Sequence, residues 1–264
     1  MTTSPVAPAP VPPSVGGLLA ALLDLLLPGS CGGCDAPGEG WCARCATHLG
    51  PLLWPVLPGG PPVVAAGRYR GPLRNAVIAY KERGRRDLAG ALSSVLLAPL
   101  AQARLPLRST GAIWLVPAPS RPAAARARGG DHVVRLCRQL ARSDSRYRVA
   151  PALRLGRRAR DSVGLDAAAR AANLAGRLRV DARALPPLGA PVILVDDVVT
   201  TGATVRACRD ALARADRDVT AAVVLADATT REARRNTRMV AGKTTHRRIC
   251  TDQGHSNLRS VVGL

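Results

Sequence analysis

The chain contains no phenylalanine, and three Trp and three Tyr bring its aromatic content to only 2% of 264 residues. A groove that stacks single-stranded bases on aromatic side chains is therefore poorly supplied. Lysine is nearly absent too: of 38 basic residues, all but Lys81 and Lys243 are arginine. Residues 1–43 hold no Lys or Arg, so the charged start of a secretory signal is missing. No apolar run reaches the ~20 residues a bilayer requires. The nearest, Leu18–Leu27, is too short and carries Asp24. No membrane span and a cytoplasmic location are expected. In a reducing cytosol, clustered cysteines serve metal binding or catalysis rather than disulfides. No Ser-His-Asp or HExxH arrangement is present.

Hydrophobic residues make up 47% of the chain and charged residues 21%, enough for a sizeable core. The formal net charge is +20. A charge of that size fits a polyanionic partner such as nucleic acid. An arginine-rich, lysine-poor, Phe-free composition equally fits GC-rich codons, with no partner implied.

Four segments are expected. Residues 1–16 are rich in Pro, Ala and Ser and read as disordered. Residues 17–62 begin with leucines at helical spacing, Leu18 to Leu27, which predict a short amphipathic helix stopped by Pro28-Gly29. With no basic face, it suits docking on the protein's own core better than lying on a membrane. A cysteine cluster and a Pro-rich linker (Pro51, Pro55, Pro58, Pro61, Pro62) complete this segment. Residues 63–230 alternate. Strands are predicted at Val63–Tyr69, Ala112–Val116, Val192–Val195 and Thr220–Ala226. Helices are predicted over Leu73–Leu100 with a break near Gly84, around Val133–Leu140, over Asp166–Leu178 and over Val205–Ala215. That alternation predicts an α/β fold with an open, mostly parallel sheet flanked by helices. Residues 231–264 hold eight basic and two acidic residues without a clear period. They read as a disordered basic tail, with a nucleic-acid arm as the alternative.

Cys31-x2-Cys34 and Cys42-x2-Cys45 are two knuckles separated by seven residues. Each puts two thiolates on one side of a tight turn. Two such turns face to face make a closed tetrahedral site suited to structural Zn²⁺. Thioredoxin-like redox chemistry is the competitor, but paired knuckles favour metal. His48 completes no site, since four cysteines suffice.

The strongest signal is Val192-Ile-Leu-Val-Asp196-Asp197-Val198-Val199-Thr200-Thr201-Gly202-Ala203-Thr204, followed by a helical pattern. A buried strand ends in two carboxylates at the edge where open α/β sheets bind ligands. A small, hydroxyl-rich loop then opens a helix. Its N–H groups and dipole suit phosphate. Carboxylates do not hold phosphate, but they accept hydrogen bonds from vicinal sugar hydroxyls. A sugar phosphate fits both parts. A merely capped turn would need one carboxylate, and two adjacent ones repel.

This segment resembles the 5-phosphoribosyl-1-pyrophosphate (PRPP) motif of type I phosphoribosyltransferases. The resemblance implies that Asp196 and Asp197 contact ribose hydroxyls and act in catalysis. It implies that residues 198–204 bind the 5′-phosphate and that Mg²⁺ accompanies the pyrophosphate. From about Leu18 to Ala226 the chain is similar to the ComF family, which places a four-cysteine zinc module before a phosphoribosyltransferase-like domain. Tyr69-Arg70-Gly71-Pro72-Leu73-Arg74 through Lys81, Trp114-Leu-Val-Pro117-Ala-Pro119, and Arg160-Asp161-Ser162-Val163-Gly164-Leu165 with Arg170 and Asn173-Leu174 carry that likeness. One departure stands out: Arg128-Gly129-Gly130-Asp131-His132 replaces the family's Arg-Gly-aromatic-Asn-Gln run.

The resemblance implies an enzyme that transfers a phosphoribosyl group from PRPP to an unknown base or other acceptor, releasing pyrophosphate. The alternative it implies is a non-catalytic PRPP-binding protein of DNA uptake, contacting single-stranded DNA or its uptake machinery. Lys81, read as standing in a loop-like break beside Gly84, is a candidate for meeting PRPP. Arg157, Arg158 and Arg160 are candidates for closing over pyrophosphate. His132 reads as a cap or surface residue, and Cys137 and Cys208 as core. Gly242-Lys243-Thr244 imitates the end of a P-loop, but Thr237 stands where the first glycine is required.

Overall fold

Short runs of Val, Ile, Leu and Ala with no polar interruption suit strands covered on both faces, and the computed structural model pairs Val63–Ala66, Val192–Val195 and Ala221–Ala226 that way. It describes residues 29–38, 40–103, 111–156 and 176–229. The leucine helix expected over Leu18–Leu27, the segment carrying Arg157, Arg158 and Arg160, and the basic tail lie outside the described residues.

The elements are α1 (Ala43–Ala46), β1 (Val63–Arg68), α2 (Gly71–Glu82), α3 (Leu88–Val95), α4 (Leu97–Gln102), β2 (Ile113–Pro117), α5 (Pro122–Ala127), α6 (His132–Ser143), β3 (Tyr147–Val149), β4 (Leu153–Leu155), β5 (Leu178–Val180), β6 (Val192–Val199), α7 (Ala203–Ala213) and β7 (Val219–Asp227). Five strands form one sheet in the order β1-β7-β6-β2-β3, with every pair parallel. β4 and β5 form a separate antiparallel pair. The expected open, parallel α/β sheet flanked by helices is what the chain forms.

Strand alternation divides the core in two. Ile193, Val195, Val223 and Leu225 face the layer of α2, α3, α4 and α6. Val192, Leu194, Ala222 and Val224 face α7 and the β4–β5 pair. On α6, the predicted stripe Val133, Leu136, Cys137 and Leu140 is fully buried, and Cys208 on α7 is buried as well.

Three expectations change. The helix expected over Asp166–Leu178 lies outside the described residues up to 175; Gly176 and Arg177 are helical as expected, and Leu178 already stands in β5. It pairs with Leu155, and both side chains are buried under the sheet. Lys81 is not in a loop: it sits in the last turn of α2, because the positive-φ Gly84 that breaks the helix lies beyond Glu82. His132 is neither cap nor surface residue: Asp131 caps α6, and His132 is 4% exposed.

The cysteine segment rests on α2 and α3. The Asn75 side chain donates to the Gly33 carbonyl at 3.0 Å, and Arg85 donates to the Ser30 carbonyl at 2.7 Å. A Cβ at Gly32 would come within 2.6 Å of Leu88 Cδ1, so only glycine permits this approach. Leu88 is fully buried beneath Gly32 and Gly40. Leu88→Ala should therefore cost about 2–5 kcal/mol, read as a lower urea midpoint at unchanged slope. An unchanged midpoint would show that the segment does not depend on this contact.

Candidate functional site

The chain leaves β2 toward β3 on one side and leaves β6 toward β7 on the other. The carboxyl ends of β2 and β6 are neighbours. That divergence opens a crevice, the usual ligand position in open α/β sheets. A cavity of about 640 Å³ lies there. Among the predicted residues, Lys81, Asp196, Asp197, Val198, Thr200, Thr201, Ala203 and Thr204 line it. Val199 and Gly202 do not: Val199 is in the core, and Gly202 is buried against Leu57.

The two carboxylates stand in different surroundings. Asp197 is 4% exposed. Its Oδ2 accepts from Lys81 Nζ and from His132 Nε2, each at 2.7 Å, and its Oδ1 accepts from the Val198 N–H at 2.7 Å. Burial opposes its charge, but His132 and Lys81 outweigh burial and hold the carboxyl below the ordinary range. Burial likewise opposes the Lys81 ammonium, and Asp197 overcomes it, raising the lysine. Asp196 has no such cation. Its Oδ1 accepts from the Asp197 N–H at 2.8 Å, and its other oxygen has no hydrogen-bond partner among the described residues. Burial first, then the charge of Asp197, pushes Asp196 up to about 8.

His132 is fixed at both nitrogens. Nε2 meets Asp197, and Nδ1 lies 3.1 Å from Ser120 Oγ. With the proton assigned to Nε2, the imidazole donates to Asp197 and accepts from Ser120. Its backbone carbonyl accepts from the Tyr80 hydroxyl at 2.8 Å. Asp131 Oδ2 accepts from the Ser120 N–H at 2.8 Å, so the loop after β2 is tied to α6 twice.

The far wall suits phosphate. Thr200 and Thr201 are exposed, and Gly202 at φ +73° turns the chain into α7 without a capping side chain. Helix N–H groups are thereby left facing the cavity mouth. The opposite rim carries Arg121, Arg128 and Arg177. Arg128 donates to the Lys81 carbonyl at 3.1 Å and Arg177 to the Gly156 carbonyl at 3.3 Å. The Nε of each is buried without a partner. Such atoms are costly unless an anion or water satisfies them. Sequence reasoning missed Ser120, Arg121 and Arg177 altogether and misread His132 as a cap or surface residue. The departure it noted at residues 128–132 was the signal for two of the site's residues, Arg128 and His132.

At the other end of α2, the four sulfurs of Cys31, Cys34, Cys42 and Cys45 lie within 4.8 Å of one another. Cys31 and Cys45 are 3.6 Å apart, and Cys34 and Cys42 are 3.7 Å apart. A tetrahedron with Zn–S bonds of about 2.3 Å has edges of about 3.8 Å, so the donor set fits zinc. The close pairs run between knuckles, not within one CxxC as a redox disulfide would. Arg44 beside Cys34 brings that thiol down to about 6. His48 is turned away, its Nδ1 on the Arg44 carbonyl at 2.7 Å.

No protein-family model matches the chain, and no curated protein does. Solved structures do. A hypoxanthine phosphoribosyltransferase mutant from Trypanosoma cruzi, in a ternary complex with substrates, aligns at 20% identity over 59% of this chain and 72% of its own, with a TM-score of 0.31. A glutamic acid mutant from work on an invariant aspartic acid in HPRTs aligns at 19% identity over the same shares, also at 0.31. A structure concerning the C-terminal region of the Trypanosoma cruzi enzyme aligns at 19% identity over 59% and 69%, again at 0.31.

The carboxylates should respond oppositely to removal. Between about pH 4 and about pH 8, folded Asp196 keeps a proton that the unfolded chain has released. Its contribution to stability therefore falls as pH rises through that window. Asp196→Asn should be as stable as wild type near pH 4 and increasingly more stable toward pH 8. For Asp197 the folded value is depressed, so its contribution is full at neutral pH and lost only as pH falls below the ordinary carboxylate value. Asp197→Asn should lose about 1–3 kcal/mol at pH 7, by leaving Lys81 and His132 poorly paired. Urea titrations across pH check both, and equal effects of the two variants would contradict the assignment.

Proposed function

We propose that the crevice binds PRPP and that the chain is a phosphoribosyltransferase of the ComF type, cytoplasmic, with structural zinc in its cysteine segment. The observation that carries this reading is the division of one cavity into three chemistries. A carboxylate with a free oxygen, Asp196, stands between a hydroxyl-rich helix start and a cationic rim. Ribose hydroxyls belong on Asp196, with Asp197 beside it. The 5′-phosphate belongs on residues 198–204. Pyrophosphate belongs with Lys81, Arg121, Arg128 and Arg177. Among the described residues, no helix is long and apolar enough to cross a membrane.

In the proposed reaction the C1′–O bond to pyrophosphate breaks as an acceptor nitrogen bonds to C1′. Positive charge develops on the sugar, and the buried Asp197 carboxylate stabilises it. Guanidinium groups neutralise the departing pyrophosphate. Asp196 and Glu82, both at the cavity, suffice for a Mg²⁺ delivered with PRPP, since that ion needs only one or two carboxylates beside phosphate oxygens. It would screen the charge of the pyrophosphate.

PRPP with Mg²⁺ should raise the thermal midpoint of the wild type. Saturation at 100 times Kd corresponds to about 2.7 kcal/mol. The Asp196→Asn/Asp197→Asn double variant should show no such shift. A wild-type chain whose midpoint does not move would refute PRPP binding. Pyrophosphate release with one member of a panel of bases then supports transfer. Binding without release from any base supports the accessory role in DNA uptake instead.

The zinc assignment is tested separately. Purified chain should hold one Zn²⁺ per molecule by elemental analysis, and Cys31→Ser should lose it. Unchanged metal content in the variant would refute the site.

A further inference from the structure

A second cavity, of about 730 Å³, lies on the outer side of α6. It meets the first only along a rim of Pro119, Ser120 and Leu155. Helix spacing explains the separation: His132 and Val133 face the first cavity, while Arg135, Arg138 and Arg142, three and four residues apart, form a stripe facing the second. Arg86, from the turn between α2 and α3, and Arg154, from β4, complete a ring of five guanidinium groups.

Their charge is scarcely answered. Among the described residues only Arg154 has a carboxylate partner, Asp181 at 2.8 Å, and Asp131 is the one acid lining the cavity. Both its oxygens are already engaged, Oδ1 by the Val133 and Val134 N–H groups and Oδ2 by the Ser120 N–H. Arg135 meets the Gly129 carbonyl and lies against the buried Tyr80 hydroxyl, and Arg142 meets the Gln139 amide oxygen. The side chains of Arg86 and Arg138 make no hydrogen bond or ion pair among the described residues. Like charges gathered in a concavity repel, and a multiply charged anion is the natural relief.

The backbone is shaped for this ring. Gly129 and Gly130 both have positive φ, at +63° and +131°. A Cβ on Gly129 would collide with the Arg86 guanidinium, and one on Gly130 would lie 3.4 Å from Arg135 Nη2. The Arg-Gly-Gly-Asp-His departure in the sequence thus makes room at Gly129 for one arginine of the second cavity, Arg86.

We propose that this cleft is a second anion site, distinct from the sugar-phosphate crevice, that takes a compact polyphosphate such as a nucleoside triphosphate or inorganic tripolyphosphate. Guanidinium forks match phosphate oxygens in pairs. The volume suits a small molecule. No Trp or Tyr lines the cleft, so bases of a nucleic-acid strand would find no stacking surface. The shared rim at Ser120, which holds His132, gives such a ligand a direct contact with the first site.

The test titrates the full-length protein with inorganic tripolyphosphate and with ATP by calorimetry. Arg138→Gln/Arg142→Gln, at exposed positions on α6, should weaken tripolyphosphate at least tenfold. Gly129→Ala, which displaces Arg86 without removing a charge, should weaken it as well. Arg121→Gln, at the first cavity, and Arg146→Gln, elsewhere on the surface, should leave it within twofold. ATP binding no tighter than tripolyphosphate identifies the phosphates alone as the ligand; tighter binding identifies a nucleotide. Three outcomes overturn the proposal: no binding, a loss that follows Arg121 instead of α6, or an equal loss in Arg146→Gln, which would indicate diffuse charge. Tighter binding of a single-stranded oligonucleotide than of either polyphosphate, lost in the same α6 variant, also overturns it in favour of nucleic acid.

Discussion

The buried carboxylate of Asp197 is the constraint around which the site is assembled. A charge at the end of a central strand is tolerable only if cations and donors reach it. Lys81 arrives from α2, His132 from the start of α6, and the Val198 N–H from β6 itself. Through His132 the loop after β2 is drawn in by Ser120. One carboxylate thus fixes the relative positions of two helices, a loop and a strand. It also leaves Asp196 as the carboxylate with a free oxygen. Adjacent carboxylates separated in this way are a means of giving two identical groups different chemistry. Here the difference is set by which of the two the cations can reach.

The same constraint connects the cysteine cluster to the cavity. Lys81 lies in the last turn of α2, whose first turns lie under Gly33 and donate to its carbonyl through Asn75. The turn after α2 is held by Arg85 on Ser30. The cysteine segment therefore grips α2 at both ends, and Lys81 is in between. A segment too small for a core of its own serves as the outer support of the helix that delivers the cation to Asp197.

Much of this was legible in the sequence because it depends on local pattern. Val192–Val195 announces a strand covered on both faces, the carboxylates follow at its end, and Gly202 marks the turn into α7. The spacing of the cysteines anticipates their clustering in the same way. What was not legible depends on distance along the chain. His132 and Asp197 are 65 residues apart, so no window of periodicity relates them. His132 was misjudged because Asp131 is the better cap; with the cap taken by its neighbour, the imidazole is free to turn inward. Lys81 was misjudged because Gly84 ends the helix only after Glu82. Arg177 carries no signal of its own in a stretch of helical periodicity: it is the last helical residue before β5, and the pairing of Leu178 with Leu155 places it at the cavity rim.

The net charge takes on a more specific meaning once enclosure is considered. Arg85 with Asp87 and Arg146 with Asp144 are sequence-local surface pairs, worth little in water. They show that many arginines need no function. Arg128 and Arg177 differ because each buries a guanidinium nitrogen without a partner. The α6 stripe differs because its arginines share a concavity whose only acid is already bonded. Solvent screens the exposed charges and screens the buried guanidinium nitrogens of Arg128 and Arg177 less. An arginine-rich composition can arise without selection for any ligand. A left-handed glycine that leaves room for a guanidinium group, as Gly129 does for Arg86, is harder to attribute to composition alone.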